Sequence, residues 1–230
     1  MRVGLGFSNR YGVSPNWCMV FANIVRLVRH ELILAHDTHF ALDISRNTVV
    51  NNILAYNPDY VFLMDTDIFP MKRVGGAWEL FYDVVNFMVE QYGKYDVVGV
   101  YHYSKRGHPN VYRFTKKKKF MDFEYWDYEP VYLELGSGLH RVDAMGLGLV
   151  MFKPEVFVRV PYPWFRIVHL YDPERRESFT MGEDLYFFNK AKEAGVQVYV
   201  TTDVLALHES EAYLWVDGRA FLVNPFVRIS

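Results

Sequence analysis

Asp65 and Asp67 stand one residue apart in VFLMDTDIFP, directly after the apolar run Val61 to Met64. Such a run reads as a buried strand. Side chains at i and i+2 share a face and converge on one point beyond its end. Two carboxylates so placed suit a hard divalent cation, which takes oxygen ligands and keeps waters or phosphate oxygens in its other positions. The chemistry on offer is a clamp for a metal and a diphosphate; the bland alternative is an Asp-rich turn. Two further segments bear on that choice. In MGEDLYF, Glu183 and Asp184 open a helix. The helix dipole favours carboxylates there, so capping competes with a general-base role. In VLALHES an apolar run ends at His208, whose imidazole is either structural or a further metal ligand.

These groups need elements to position them. Arg2 to Phe7 reads as a first strand, Asn16 to His30 as an amphipathic helix and Leu32 to Ala35 as a second strand. Ser45 is a plausible N-cap for a helix that runs through Ala55 and stops at Asn57-Pro58. Tyr60 to Met64 is a continuous apolar strand. Trp78 to Tyr92 reads as a helix and Tyr95 to Val100 as another buried strand. Residues 102–138 are polar and aromatic and suggest a hairpin excursion. Leu149 to Phe152 returns to a strand, and a short helix starts at Pro154. Gly182 to Ala194 is a helix closed by Gly195, and Val196 to Val200 a strand. Tyr213 to Val223 reads as a hairpin around Asp217-Gly218. Alternation of this kind implies an α/β/α sandwich with a central mixed, mostly parallel sheet and a small β-hairpin excursion. One domain, 1–230, is expected, since single cores grow to roughly 250–300 residues. In open α/β sheets ligands bind beyond the carboxyl ends of the strands, where Asp65 and Asp67 sit.

Taken together, the order of motifs resembles the GT-A fold, nucleotide-sugar-dependent glycosyltransferases with a DXD motif, of the family-two-like kind. ISRNTVVNNILAYNPDYVFLMDTDIFP is similar to their helix-then-DXD segment. VDAMGLGLVMFKPEVF is similar to the glycine-containing strand, PYPWF to an aromatic acceptor-side loop, and GEDLYFFNKAKEAGVQVYVTTDVLALHES to the stretch from catalytic helix to metal histidine. The match touches most of residues 1–210. The resemblance implies a GT-A-like (Rossmann-like) fold, with a nucleotide-sugar-binding half, 1–100, and an acceptor-binding half, 101–230. It implies transfer of a sugar from a UDP- or GDP-sugar donor to an acceptor hydroxyl, with Mn²⁺ or Mg²⁺ and with inversion. Asp65, Asp67 and His208 would hold the metal. Phe7, Ser8 and Asn9 would lie against the nucleotide, and Arg46 would reach the base or diphosphate. Asp37 is a candidate for reading the base, with Asp43 nearby. Gly146 and Gly148 would let backbone approach the sugar. Asp184 would take the acceptor proton, with Glu183 beside it. Trp164 and Phe165 would floor the acceptor site. The acceptor would be a carbohydrate, lipid or protein. Two alternatives use the same residues: a nucleotidyltransferase or metal-dependent phosphohydrolase, and a non-catalytic sugar-binding domain.

Composition narrows the partners. A formal net charge of -2 calls for no nucleic acid. The single cysteine, Cys18, rules out an internal disulfide framework and a zinc-cysteine cluster. No apolar run reaches the ~18–20 residues of a membrane span, and the N-terminus is too quickly polar for a signal peptide. A soluble, cytoplasmic protein is expected. Lys116 to Lys119 reads as a solvated hairpin tip, with peripheral contact to an anionic membrane as the alternative. His102, Lys105, Arg106 and His108 lie in a polar loop that could serve as a phosphate-binding lid. Asp143 is either a sugar contact or a turn cap. Tyr125, Trp126 and Tyr128 are either packing residues or a stacking surface for sugar.

Overall fold

Two βα units open the chain. The computed structural model describes residues 1–8, 13–39, 41–104, 107–209, 213–216 and 219–222. Strand β1 (Arg2–Ser8) leads to helix α1 (Pro15–Leu27), and β2 (Glu31–Asp37) to α2 (Leu42–Leu54) and β3 (Tyr60–Met64). Ser14 caps α1 by accepting from the Trp17 amide at 3.0 Å, with Pro15 in the first turn. Helix α2 starts three residues before the expected cap. Ser45 lies inside it and donates to the Asp37 carbonyl at 3.3 Å. Strand β1 alternates between two helices. Gly4 and Gly6 face α2, where an added Cβ would lie 2.1 Å from Ile53 and 2.3 Å from Val49. Phe7 points the other way and packs on Trp17 and Phe21 of α1. Helices therefore cover both faces of the sheet.

The sheet continues through β4 (Ile68–Val74), β5 (Ala77–Leu80), β6 (Val97–His102), β9 (Leu139–Val142), β11 (Leu149–Phe152) and β14 (Val198–His208). Its order is β2-β1-β3-β11-β6-β14-β4-β5, with β9 also on β14. The pairings of β1 with β2 and β3, and of β6 with β14, are parallel; the others are antiparallel. The architecture is α/β with a large mixed, partly parallel sheet. Where a helix over Trp78 to Tyr92 was expected, only α3 (Val84–Tyr92) is helical. Gly75 and Gly76, at φ 58° and 94°, make a two-residue turn that folds Ala77–Leu80 back onto β4. Strand β14 outruns its expected end at Val200. Its register against β6 shifts between Thr201 and Leu205, so residues 202–204 have no partner there.

The expected excursion is a long hairpin, β7 (Val111–Phe120) and β8 (Phe123–Pro130), with β10 (Ala144–Met145) beside β7. Its lysines are not a free basic tip. Lys117 pairs with Glu124 at 3.0 Å and Lys118 with Asp127 at 2.6 Å. A second hairpin, β12 (Val168–Asp172) and β13 (Glu177–Met181), precedes α5 (Glu183–Glu193), and α4 (Glu155–Arg159) follows β11. The backbones of β15 (Tyr213–Val216) and β16 (Arg219–Leu222) pair as expected. Asp217-Gly218, Val223, Lys105 and Arg106 lie outside the described residues.

The Gly4–Ile53 contact sets how closely α2 approaches the sheet. Gly4→Val is expected to lower stability by ~1–3 kcal/mol through overpacking. Ile53→Ala in the same chain should restore part of that loss, because the two sites share one space. Thermal unfolding of the four variants of this cycle checks it; strict additivity would refute the contact.

Candidate active site

The site is organised by one cation. Arg46, in the second turn of α2, is 4% exposed. Its Nη2 donates to Asp65 Oδ1 at 2.6 Å, and its Nη1 donates to Glu183 Oε1. Burial opposes the guanidinium charge, but Asp65 and Glu183 outweigh it and raise the pKa further. The end of β3 and the start of α5 are thereby tied together through a residue of α2, with Arg46 and Glu183 137 positions apart in the chain. Two backbone contacts fix the Asp65 end. The Trp17 indole donates to the Asp65 carbonyl at 3.1 Å, and the Asp65 amide donates to Gly148 at 2.8 Å. Arg46 therefore positions carboxylates. Both carboxylates take its donors.

Asp184 follows Glu183 in the first turn of α5, and its Oδ1 accepts from the Leu185 amide at 2.7 Å. Gly182 leaves the room: a Cβ there would lie 2.9 Å from that oxygen. Burial and the neighbouring Glu183 charge push the Asp184 carboxyl up to about 6, with Arg46 opposing. Glu183 is paired with Arg46, whereas Asp184 exchanges a proton near neutrality. The β7–β8 hairpin overlooks this group. Tyr112 and Tyr128 make an edge-to-face pair at 5.0 Å. Burial, and secondly the charge of Asp184, raise both phenols, Tyr112 to about 12.

Asp67 and His208 meet because β4 and β14 are antiparallel neighbours with Ile68 opposite His208. Asp67 Oδ2 lies 3.4 Å from His208 Nδ1. That nitrogen is buried and has no hydrogen-bond partner among the described residues. A buried, unpartnered imidazole nitrogen beside a carboxylate is suited to a metal ion. Two neighbouring ligands of an octahedral cation, at about 2.1 Å, sit about 3 Å apart, close to the spacing seen. Among the described residues no group of three or more His, Cys, Asp or Glu forms a complete metal shell. Asp67 and His208 are therefore two candidate ligands and not a shell. Behind His208 stands His102, ring to ring at 5.5 Å. Asn110 donates to His102 Nε2 at 2.9 Å and accepts from the Tyr112 hydroxyl at 2.8 Å. Nδ1–H of His102 then donates to the Val100 carbonyl at 3.1 Å. Burial, and next His208, push His102 down to about 4, so it stays neutral.

The remaining candidates divide. Ser8 and Asp37 are register partners at the ends of β1 and β2. Asp37 accepts from the backbone amide of His39 at 3.0 Å. Burial works to raise its pKa, but hydrogen bonds from the His39 ring and amide hold it below the ordinary range. Asp43 accepts from the Ile167 amide at 3.0 Å, which leaves Asp37 as the strand-end acid. Phe7 packs between Trp17 and His36. Asn9 lies outside the described residues. Gly146 opens onto side chains: a Cβ would meet Asn110 at 1.9 Å and His102 at 2.8 Å. Gly148 faces Ile68 at 3.0 Å. The expected approach of a sugar to these glycines gives way to packing of the His102 network. Trp164 and Phe165 are also corrected. Both are core residues, at 6% and 1% exposure, so neither can floor an open site. The Trp164 indole donates to Phe157 and Val160 carbonyls, and Phe165 stacks on Phe187 of α5. Asn47 pins both, accepting from their amides and donating to the Phe165 carbonyl at 2.7 Å.

Sequence reasoning gave no site role to Asn47, Trp17, Asn110 or Tyr112. A polar Arg46-Asn47 pair inside a helix was the one available signal, because buried polar side chains demand partners.

No protein-family model matches the sequence, and no curated protein sequence matches it. The fold is similar to that of the crystal structure of A197 from STIV, with a TM-score of 0.60 and 19% identity over 100% of this chain and 98% of that chain. That likeness is one of fold alone. The crystal structure of GalNAc-T7 with UDP, GalNAc and Mn²⁺ superposes with a TM-score of 0.47 and 11% identity, over 90% of this chain and 43% of that one. Similarity so low carries no argument. No helix among the described residues is long and apolar enough to cross a membrane.

Proposed function

We propose that the chain transfers a sugar from a nucleotide-diphosphate-sugar donor to an acceptor hydroxyl, with a divalent cation. One observation carries this reading. Arg46 binds Asp65 and Glu183 at once, so the strand-end carboxylates and the proton-exchanging Asp184 share one centre. Asp67 and His208 would hold the cation, with Asp65 as the other strand-end carboxylate. Mn²⁺ or Mg²⁺ bound there supplies Lewis-acid stabilisation for charge building on the departing diphosphate. Asp184 accepts the acceptor hydroxyl's proton as the new bond forms. A carboxyl poised near 6 is ionised at neutral pH yet more basic than an ordinary aspartate, which suits a general base. Burial and the Glu183 charge keep Asp184 basic, and Arg46 pairs with Glu183. Asp37, at the end of β2, would accept from a base N–H or a ribose hydroxyl. Residues 1–230 would act as one unit, since both halves supply members of this centre.

Calorimetric titration with a panel of UDP- and GDP-sugars, in Mn²⁺ and then in EDTA, tests the reading. One nucleotide family should bind with metal and lose affinity in EDTA. Asp67→Ala should abolish that metal-dependent binding while the circular dichroism spectrum stays unchanged. Absence of any donor binding in Mn²⁺ would overturn the transferase reading.

Asp184 generates a second prediction. Its folded-state pKa is about 6 against an ordinary 3.8, so the folded state holds this proton more tightly than the unfolded state. Stability from that proton is present below about pH 4 and is lost as pH rises through about 6. Asp184→Asn should therefore raise stability at pH 7.5, by up to ~3 kcal/mol, and change little near pH 4. The same variant should keep donor binding and lose transfer. In the unaltered protein the transfer rate should fall about tenfold per pH unit below about 6. A flat rate profile between pH 5 and 7 would remove Asp184 from the base role.

A further inference from the structure

A second concave surface lies on another side of α5. It is a groove of about 520 Å³ between the β7–β8 hairpin, the α4 end and the helix. That volume is in the range of small-ligand sites, roughly 300–1,000 Å³. From α5 it takes Tyr186, Asn189, Lys190 and Glu193, spaced i, i+3, i+4, i+7, which is one helical face. At 3.6 residues per turn Asp184 lies about half a turn round from that face. The groove is thus separate from the centre described above.

Its walls are aromatic and its charges are already committed. Phe123, Tyr125 and Trp126 line the hairpin side and Tyr186 the helix side. The hairpin is fixed to α5, since the Trp126 amide donates to Asn189 at 2.6 Å and its indole to Glu193 at 2.8 Å. Lys192 lies 4.8 Å over the Trp126 ring and braces it. Lys117 pairs with Glu124 at 3.0 Å and with Glu193 at 3.6 Å. Arg159 is bound to Asp96 at 2.8 Å and to the Gly195 carbonyl at 2.7 Å. Lys190 donates to the Pro161 and Pro163 carbonyls. By contrast, the hydroxyls of Tyr125 and Tyr186 bond to no other described residue. Phe123 and Tyr125 pack on Phe179, and Lys190 lies 5.1 Å over the Tyr186 ring, so what remains for a ligand is one face each of Trp126 and Tyr186 and neutral hydroxyls. An anionic or cationic ligand would have to break existing pairs; an aliphatic one would leave the hydroxyls unmet. A pyranose matches both features, with apolar C–H faces for the rings and a rim of hydroxyls.

We propose that this groove binds a neutral oligosaccharide, with a sugar ring held between Trp126 and Tyr186. The proposal does not depend on the transfer chemistry.

The test is calorimetry of the full chain with maltohexaose, mannopentaose, chitohexaose and lacto-N-neotetraose. At least one should bind. Trp126→Ala should weaken that binding more than about fivefold, as loss of a central aromatic contact does. Tyr186→Ser, half-buried on the helix side of the groove, should weaken it as well and gives a second variant independent of the hairpin. Both variants should keep Mn²⁺-dependent donor binding. No binding of any of the four glycans at millimolar concentration would overturn the groove and leave the donor reading standing. Binding that neither substitution weakens would also overturn it. Loss of donor binding with Trp126-dependent glycan binding retained would instead sink the transferase reading and support the groove. Preference for glucose 6-phosphate over all four neutral glycans would show an anion site and refute the proposal.

Discussion

A guanidinium sealed from water between two carboxylates is the constraint on which the candidate centre rests. Arg46 cannot shed its charge, so its burial is tolerable only while Asp65 and Glu183 both remain in place. Each of the three comes from a different part of the chain: α2, the turn after β3 and the first turn of α5. Their meeting requires α2 to lie tight on β1, which Gly4 and Gly6 permit. It also requires the 163–167 segment to close over α2, which Asn47 and Asp43 enforce by binding its backbone. The packing that builds the sheet also builds the centre.

The same ion triplet separates the roles of two adjacent acids. Glu183 and Asp184 are neighbours in sequence and share the favourable end of a helix. Arg46 takes Glu183 and leaves Asp184 with a like charge beside it and little water. One acid is taken up in an ion pair and the other becomes a group that exchanges protons near neutrality. A comparable division holds between two histidines. His102 has both ring nitrogens bonded and stays neutral, and His208 keeps Nδ1 open towards Asp67. In each pair, one member is held in a side-chain network and the other is the one available for chemistry.

Much of this was legible in the residues. Apolar runs marked β1, β3, β6 and β11, because buried strands need continuous hydrophobic side chains. The Asp65-Asp67, Glu183-Asp184 and His208 segments converge on one end of the sheet, as strand-end placement leads one to expect. The β5 segment was read as helix because AWEL fits either period over so short a span, and the decisive signal was the Gly75-Gly76 turn before it. Trp164 and Phe165 misled for another reason. Aromatic residues beside prolines look like a surface platform, yet these rings fill the gap between α2 and α5, and only three-dimensional packing reveals that gap. The fate of Arg46 was likewise hidden, since a residue 137 positions away supplies its second partner. The Asn110–His102 support is a third-dimension feature of the same kind; local spacing carries no trace of it.

The irregularity in β14 has a consequence for sidedness. Up to Thr201 the strand runs in step with β6, and from Leu205 it runs in step again, three residues late. Three is odd, and side chains alternate between faces with a period of two. The offset therefore inverts which residues of the strand's end share a face with their β6 neighbours. Ala206 comes to stand beside His102, and His208, two residues on, projects to the same side. An in-step strand would have turned that imidazole to the opposite surface, away from His102. The slack of residues 202–204 acts as a parity bit: an odd count brings the histidine to this face, and an even count would send it to the other.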